Sequence, residues 1–301
     1  MTSAEPAETN GKAGERPLSS AILSIQSHVV YGHVGNSAAV FALQRLGREV
    51  WPIHTVQFSN HTGYGGWRGR VFAAGDIDEC AAGLAERGVL GGCAGLLSGY
   101  IGSPDIGAAI LRAASQARAA NAQAIYCCDP VLGDRGRGFY VQDGVADFMR
   151  ERAVPAATIV TPNHFELEAL TGAEARTLGA ARKALAKLHA AGPRIILVTS
   201  VELDDTPPQS LDLLASGGGA IWRLRTPKAP VAVNGAGDVI AALFLHHWLE
   251  RRDAAAALAR AASAVYGLVA ATQAAGSREL ALIPAQDQLV NPSRLFAPER
   301  V

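Results

Sequence analysis

Short apolar runs and amphipathic stretches alternate along this chain. Ala21 to Ile25 is an apolar run bounded by polar residues, and Asn36 to Leu46 follows with Ala39, Val40, Leu43 and Leu46 at helical spacing. That pattern predicts strand, loop and helix. The alternation returns with strands over Val50 to Phe58, Ala94 to Ser98, Ala124 to Cys128, Thr158 to Thr161 and Arg194 to Thr199. Between them, helical spacing covers Ile77 to Arg87, Pro104 to Ala120, Phe165 to Leu170 and Leu178 to Ala191. Strands that are apolar throughout, each followed by a helix, predict an α/β fold with a mostly parallel central sheet covered by helices on both faces, a three-layer α/β/α arrangement.

The alternation breaks once. Leu211 to Ala215 and Ala220 to Arg225 flank Ser216-Gly217-Gly218-Gly219, which predicts an antiparallel hairpin at one edge of the sheet. Two further helices follow, a continuously apolar one over Val239 to Leu245 and an alanine-rich one over Ala254 to Gln273.

In front of the first of these stands Val233-Asn234-Gly235-Ala236-Gly237-Asp238. The glycines free the backbone to turn so that the amides of Gly235, Ala236 and Gly237 converge at a helix N-terminus, where orphan N–H groups and the helix dipole stabilise an anion. Asp238 then has two readings. It is a helix cap or first-turn charge, or a general base beside an anion cradle, as phosphoryl transfer requires.

With 301 residues and 49% hydrophobic content, the chain is long enough for one large core. Neither an internal repeat nor a second composition regime appears, so residues 19–301 are expected to form a single domain. Residues 1–18 are rich in Ala, Glu, Thr, Gly and Pro and lack the apolar core of a signal peptide, which predicts a disordered extension. Twenty-seven basic residues balance twenty-seven acidic ones without long runs of either sign. This argues against nucleic acid or an anionic membrane as partner and for a small molecule. No window reaches the roughly 18 uninterrupted apolar residues of a membrane span. Cys80, Cys93, Cys127 and Cys128 show neither CxxC spacing nor a paired histidine pattern, consistent with a reduced cytoplasm.

Ligands of open α/β sheets gather outside the carboxyl ends of the strands. Those ends are polar here: Gln26-Ser27-His28, Gln57 to Tyr64, Ser98-Gly99-Tyr100, Asp129 to Asp134, Thr161-Pro162-Asn163 with Glu166, and Thr199-Ser200. Any one alone reads as ordinary loop polarity. Six in succession point to a site. Asp129, Asp134 and Glu166 offer the carboxylate oxygens that a hydrated Mg²⁺ uses when it bridges nucleotide phosphates. Glu166 also completes a capping box with Asn163, and the two readings are compatible. Arg135-Gly136-Arg137-Gly138 reads equally as a basic flap or as a solvated turn.

From about Ala21 to Phe296 the chain resembles the pyridoxal kinases of the ribokinase-like superfamily. The resemblance rests on Ile25 to Gly32, Thr55 to Tyr64, Leu97 to Gly102, Asp129 to Asp134, Thr161-Pro162-Asn163 with Glu166, and Gly235 to Asp238. The last three segments look like apparatus shared across the superfamily, whereas the first two resemble a vitamin B6 pocket. Carried over by position, the resemblance implies that Ser27, Thr62 and Gly63 bind the pyridine ring substituents with Tyr100 beside the ring. It further implies that Asp129 and Glu166 hold metal, and that Asp134, Thr161, Asn163, Thr199 and Ser200 line the nucleotide. Gly235, Ala236 and Gly237 would form the anion hole, with Asp238 touching substrate as base. Relatives often carry Thr or Val at the position of Ala236, a side chain the anion hole does not need. Asn234 has no role in this reading.

The implied activity is ATP-dependent phosphorylation of the 5′-hydroxymethyl group of pyridoxal, with pyridoxine and pyridoxamine as further acceptors. ATP, Mg²⁺, a monovalent cation such as K⁺, a cytoplasmic location and a homodimer come with it. A rival on the same scaffold is a kinase of hydroxymethylpyrimidine or another small alcohol, against which Phe58 to Tyr64 speaks. A non-catalytic pyridoxal phosphate binding protein would need no base, and a nicotinamide dehydrogenase would carry GxGxxG after its first strand.

Overall fold

The computed structural model describes residues 21–231 and 233–301, so the extension expected over residues 1–18 lies outside the described residues. β1 (Ala21–Tyr31) leads through α1 (Asn36–Arg45) to β2 (Val50–Asn60), a 3-10 turn at Thr62–Tyr64 and β3 (Gly69–Val71). α2 (Ala74–Glu86), β4 (Cys93–Ser98), α3 (Pro104–Ala120) and β5 (Ile125–Cys128) follow. A small hairpin, β6 (Gly133–Asp134) and β7 (Gly138–Phe139), precedes α4 (Val145–Phe148), a π-helical turn at Met149–Ala153 and α5 (Val154–Ala156). Then come β8 (Ile159–Val160), α6 (His164–Thr171), α7 (Leu178–Ala190), β9 (Ile195–Val201), β10 (Ser210–Gly217) and β11 (Ala220–Pro227). α8 (Ala236–Arg251), α9 (Ala254–Ala274), α10 (Asp287–Val290) and β12 (Glu299–Arg300) complete the chain.

The main sheet has ten strands in the order β12-β11-β10-β9-β8-β5-β4-β1-β2-β3. From β9 to β2 every pairing is parallel. β1 sits between β2 and β4, so the strand order reverses there and leaves a crevice at its carboxyl end. The expected hairpin is present as β10 and β11. Its turn is tighter than the four residues Ser216 to Gly219: Gly218 and Gly219 alone turn the chain, at φ 60° and 78°. Positive φ at both central residues matches the twist of the flanking strands. A further antiparallel strand, β3, lies at the opposite edge, and its Gly-Arg-Val sequence carries no apolar run that would have announced it.

Successive strand residues face opposite layers. Leu23, Leu96, Cys128 and Ile196 pack with α2, α3, α6 and α7, while Ile22, Leu97, Cys127 and Leu197 pack with α1, α8 and α9. Because both faces are covered, both sets are apolar, which is why the strands read as continuous runs. α8 is buried from Val239 through His246 because it lies between α1, α9 and β4. A helix enclosed on all sides has no polar stripe. α9 is long and apolar enough to cross a membrane by length and composition, yet it packs on α8, β10 and β11.

Candidate active site

Two helices begin side by side at the strand ends. α8 starts from Gly235 at φ 87°, where a Cβ would overlap the carbonyl oxygen of His33. α1 starts from Gly35 at φ 54°, where a Cβ would overlap the backbone and hydroxyl of Ser27. Only glycine fits either place. The approach sets the Gly35 amide beside the carboxylate of Asp238, in the first turn of α8, where it favours the charged form. Ser27 itself lies where the pairing of β1 with β2 slips between Gln26 and His28, an irregularity of the kind that re-aims side chains beside sites. Ser27, Gly35 and Asp238 are therefore brought together, and the first-turn amides of α8 around Gly235, Ala236 and Gly237 lack acceptors within the helix. Desolvation pushes the Asp238 carboxyl up to about 6, with the Gly35 amide and its own amide pulling the other way.

Asp129 directly follows β5, is buried, and accepts a hydrogen bond from Thr161 Oγ1 at 2.9 Å. Its pKa is raised well above the usual carboxylate range by desolvation first, then by the charges of Glu166 and Asp238. Three carboxylates thus share one electrostatic neighbourhood. Glu166 Oε1 accepts from the amides of Leu132 and Gly133 at 2.8 and 3.4 Å, and Oε2 from the amide of Asn163 at 2.8 Å. Asn163 Oδ1 in turn accepts from the Glu166 N–H at 2.9 Å, which completes the capping box of α6. The box leaves Glu166 one uncommitted lone pair on Oε2. Burial raises its pKa against these three amides. Buried carboxylates that repel one another suit a hard divalent cation, so the donor set fits Mg²⁺.

Asp134 stands on the β6–β7 hairpin, half-buried, with Arg137 Nε 3.7 Å away. Arg135 reaches back to Glu168 at 3.6 Å, which ties the basic turn to α6. Beyond the hairpin, Tyr140 is 48% exposed, and its hydroxyl is pushed up by desolvation and then by the charges of Glu166, Asp134, Asp129 and Asp238. Nothing in the sequence pattern singled it out. Thr161, Asn163, Thr199 and Ser200 gather at the adjacent ends of β8 and β9, where Asn163 bridges Thr199 and the Thr199 N–H donates to Pro162 O at 3.0 Å. Ser200 has φ 52°, a left-handed conformation that a serine adopts at some cost.

On the other side of Ser27, Val29, Val34, Val56 and Phe58 form an apolar cluster with Tyr100 packed against it. Below it runs a polar network that sequence reasoning also missed. Ser24 Oγ donates to Asn36 Oδ1 at 2.7 Å, Gln26 Nε2 donates to Ser24 Oγ at 2.9 Å, and Asn36 Nδ2 contacts His54 Nδ1 at 3.0 Å. The His54 ring lies 4.3 Å from that of His28. Thr62 and Gly63 are exposed in the 3-10 turn after β2, where Gly63 N–H donates to His61 Nδ1 at 3.1 Å. The Phe58 and Trp67 rings meet at 3.9 Å, and the Tyr64 hydroxyl donates to Glu279.

Two other features stand apart from these strand ends. A surface hollow lined by Arg150, Thr171, Gly172 and Lys187 lies at the far end of α6 from Glu166. His246, His247 and Glu250 bring ligand atoms together near the C-terminus of α8, but Arg48 Nε donates to His246 Nδ1 at 3.0 Å. That bond puts the ring proton of a neutral His246 on the nitrogen facing Glu250 and sets a guanidinium beside any cation.

The family described as phosphomethylpyrimidine kinase matches residues 98–282. The pyridoxal kinase PdxY of Granulibacter bethesdensis is 56% identical over 91% of this chain and 98% of its own length. That of Rubrobacter xylanophilus is 55% identical over 93% and 97%. Among solved structures, the pyridoxal kinase of Leishmania donovani in complex with ADP and pyridoxamine superposes with a TM-score of 0.86 at 32% identity, covering 94% of this chain and 99% of that one.

Proposed function

The chain belongs to the pyridoxal kinases of the ribokinase-like fold, and on that premise we propose how its own residues divide the reaction. It is an ATP-dependent kinase that transfers a phosphoryl group to the 5′-hydroxymethyl group of pyridoxal. The observation that carries the residue assignment is the close packing where α1 and α8 begin: Gly35 lies on Ser27, Gly235 lies on His33, and the Asp238 carboxylate sits beside the Gly35 amide, so acceptor pocket, base and anion cradle meet.

The Leishmania donovani pyridoxal kinase binds ADP together with pyridoxamine in one complex and with pyridoxine in another. In this chain Ser27, Thr62 and Gly63 hydrogen-bond the pyridine substituents, and Tyr100 lies beside the ring. Asp238 accepts the hydroxyl proton as the oxygen attacks phosphorus, and the amides of Gly235, Ala236 and Gly237 stabilise charge on the transferring group. Thr161, Asn163, Thr199, Ser200 and Asp134 line the nucleotide. Asp129 and Glu166 would hold Mg²⁺, which when bound neutralises triphosphate charge. The turn from Asn60 to Trp67 covers the acceptor and excludes water, a competing phosphoryl acceptor. A homodimer and a cytoplasmic setting belong to the same reading.

The phosphomethylpyrimidine name raises the rival alcohol. Its match begins at residue 98 and therefore omits Ile25 to Gly32 and Thr55 to Tyr64, the segments that form the acceptor side. It covers the transfer machinery and, of the residues assigned to the acceptor ring, Tyr100 alone. The test is direct: purified protein with ATP, Mg²⁺ and each of pyridoxal, pyridoxine, pyridoxamine and hydroxymethylpyrimidine, with phosphorylated product measured. Pyridoxal is expected to react with the highest kcat/KM, and a preference for hydroxymethylpyrimidine would overturn the acceptor assignment.

A further inference from the structure

Glu279 lies in the segment after α9, far in sequence from every candidate site residue named above. Three loops converge on it. Its Oε1 accepts a hydrogen bond from the Tyr64 hydroxyl, in the turn over the acceptor side. Its Oε2 accepts from the His33 N–H at 3.2 Å, in the loop between β1 and α1. Its main chain pairs in a parallel bridge with Asn234, the residue that precedes the anion cradle.

The surroundings hold this carboxylate in place. The Glu279 N–H donates to Ser277 Oγ at 3.0 Å, and that hydroxyl donates back to the Glu279 carbonyl at 2.8 Å. Gly32, at φ 97°, packs so closely on the carboxylate that a Cβ there would overlap it. Arg278 places its guanidinium 5.4 Å from the centre of the Tyr64 ring. The loop that Glu279 holds through His33 also touches the cradle directly, since the His33 carbonyl is the atom against which Gly235 packs. The turn, the β1–α1 loop and the cradle are thus joined through one side chain and its own peptide.

We propose that Glu279 is a positioning residue that latches the turn carrying Thr62 and Tyr64 to the anion cradle, so that the acceptor is covered when Gly235 to Gly237 are aligned. The inference rests on the kinase reading and extends it to a residue outside every recognised motif. It also explains Asn234, whose contribution is its backbone pairing and not its side chain. A carboxylate accepts two strong hydrogen bonds in fixed directions, which a neutral side chain does less well. The Glu279 carboxylate is bonded to Tyr64 and His33, neither of which the kinase reading assigns to acceptor or phosphate, so its loss acts through the turn.

The test is a double-mutant cycle of Tyr64→Phe and Glu279→Gln, read in three ways: kcat/KM for pyridoxal, ATP hydrolysis without pyridoxal, and thermal midpoint. Tyr64→Phe keeps the ring and removes only the donated hydrogen bond. It is expected to lower kcat/KM for pyridoxal by roughly tenfold or more, the scale of a hydrogen bond to a charged group. Pyridoxal-independent hydrolysis should hold or rise, because water gains access, and the midpoint should stay near wild type. In the Glu279→Gln background the same change should cost much less, since its strong acceptor is gone. Equal effects in the two backgrounds, or an unchanged kcat/KM in Tyr64→Phe, would overturn the latch. A parallel fall of both activities with the midpoint would mark a purely structural contact and overturn it too. Wild-type protein that fails to phosphorylate pyridoxal would instead overturn the kinase assignment on which the cycle depends.

Discussion

The main-chain amide of Gly35, the N-cap of α1, lies beside the carboxylate of Asp238 in the first turn of α8 and favours its charged form. Gly35 can take this place, packed on Ser27, only because it lacks a Cβ, and Gly235 packs on the His33 carbonyl for the same reason. Gly35→Ala should therefore damage both fold and catalysis. Strain at a glycine-only backbone conformation costs about 1–3 kcal/mol, and the overlap with Ser27 adds to it. Gly65→Ala is the control: that residue also has positive φ, at 90°, but open space around its missing side chain. Urea unfolding and kcat on both variants should show the larger loss, in both quantities, at Gly35.

Asp238→Asn separates base from structural charge. The change keeps the side chain's shape and leaves a carbonyl oxygen for the Gly35 amide, while removing the proton acceptor. A fall in kcat of roughly 10²–10⁴ is expected, with kcat/KM falling by a similar factor because the lost interaction exists in the transition state. Full activity in steady-state assays would end the base assignment.

The same residue sets a pH dependence whose sign follows from its environment. Desolvation raises the Asp238 carboxyl from its ordinary 3.8 to about 6, so the base is lost by protonation as pH falls through about 6, and kcat should fall with it. Stability moves the opposite way. Between pH 4 and 6 the folded chain holds a proton that the unfolded chain releases, so this group's contribution improves as pH falls and is lost as pH rises through about 6. Asp238→Asn should be at least as stable as wild type above pH 6. Melting curves of the two proteins at pH 5 and pH 8 measure the difference.

Glu166 serves two purposes at once. Both oxygens accept backbone amides, from Leu132 and Gly133 on one side and Asn163 on the other. A glutamine can satisfy one side with its carbonyl but turns N–H groups toward the other. Glu166→Gln is expected to lose about 1–3 kcal/mol of stability and to need more free Mg²⁺ for half-maximal rate, with pyridoxal affinity little changed. Titrating Mg²⁺ against rate, beside a pyridoxal binding isotherm, checks this. Equal losses in both affinities would reduce Glu166 to a folding residue.

Much of this architecture is legible from the apolar runs, because a sheet covered on both faces imposes a simple pattern on its strands. The pattern fails where function intervenes. β1 continues to Tyr31, well past Ile25, because Gln26, Ser27 and His28 interrupt the apolar run while staying in the sheet. The segment from Val145 to Ala156 hides its helical turns, because Arg150, Glu151, Arg152 and Pro155 break any apolar period. The strand-end polar residues are visible because they cluster in sequence as well as in space. Gly35, Tyr140 and Glu279 are not, since each matters through a partner brought close only by the fold, and a glycine amide or a loop carboxylate carries no signature of its own.

The distribution of sulfur across the layers has a practical side. Cys93, Cys127 and Cys128 are buried in the sheet, with their thiols pushed above the usual range, whereas Cys80 lies exposed on α2. Reactivity follows thiolate character and access. An alkylating dye added to the native protein should attach at one position without any engineering, away from the strand ends where the chemistry sits. The same asymmetry sets how oxidation proceeds in storage. Of the four cysteines the folded chain offers one thiol to another molecule, so loss of reductant leads to covalent pairs of chains and stops there.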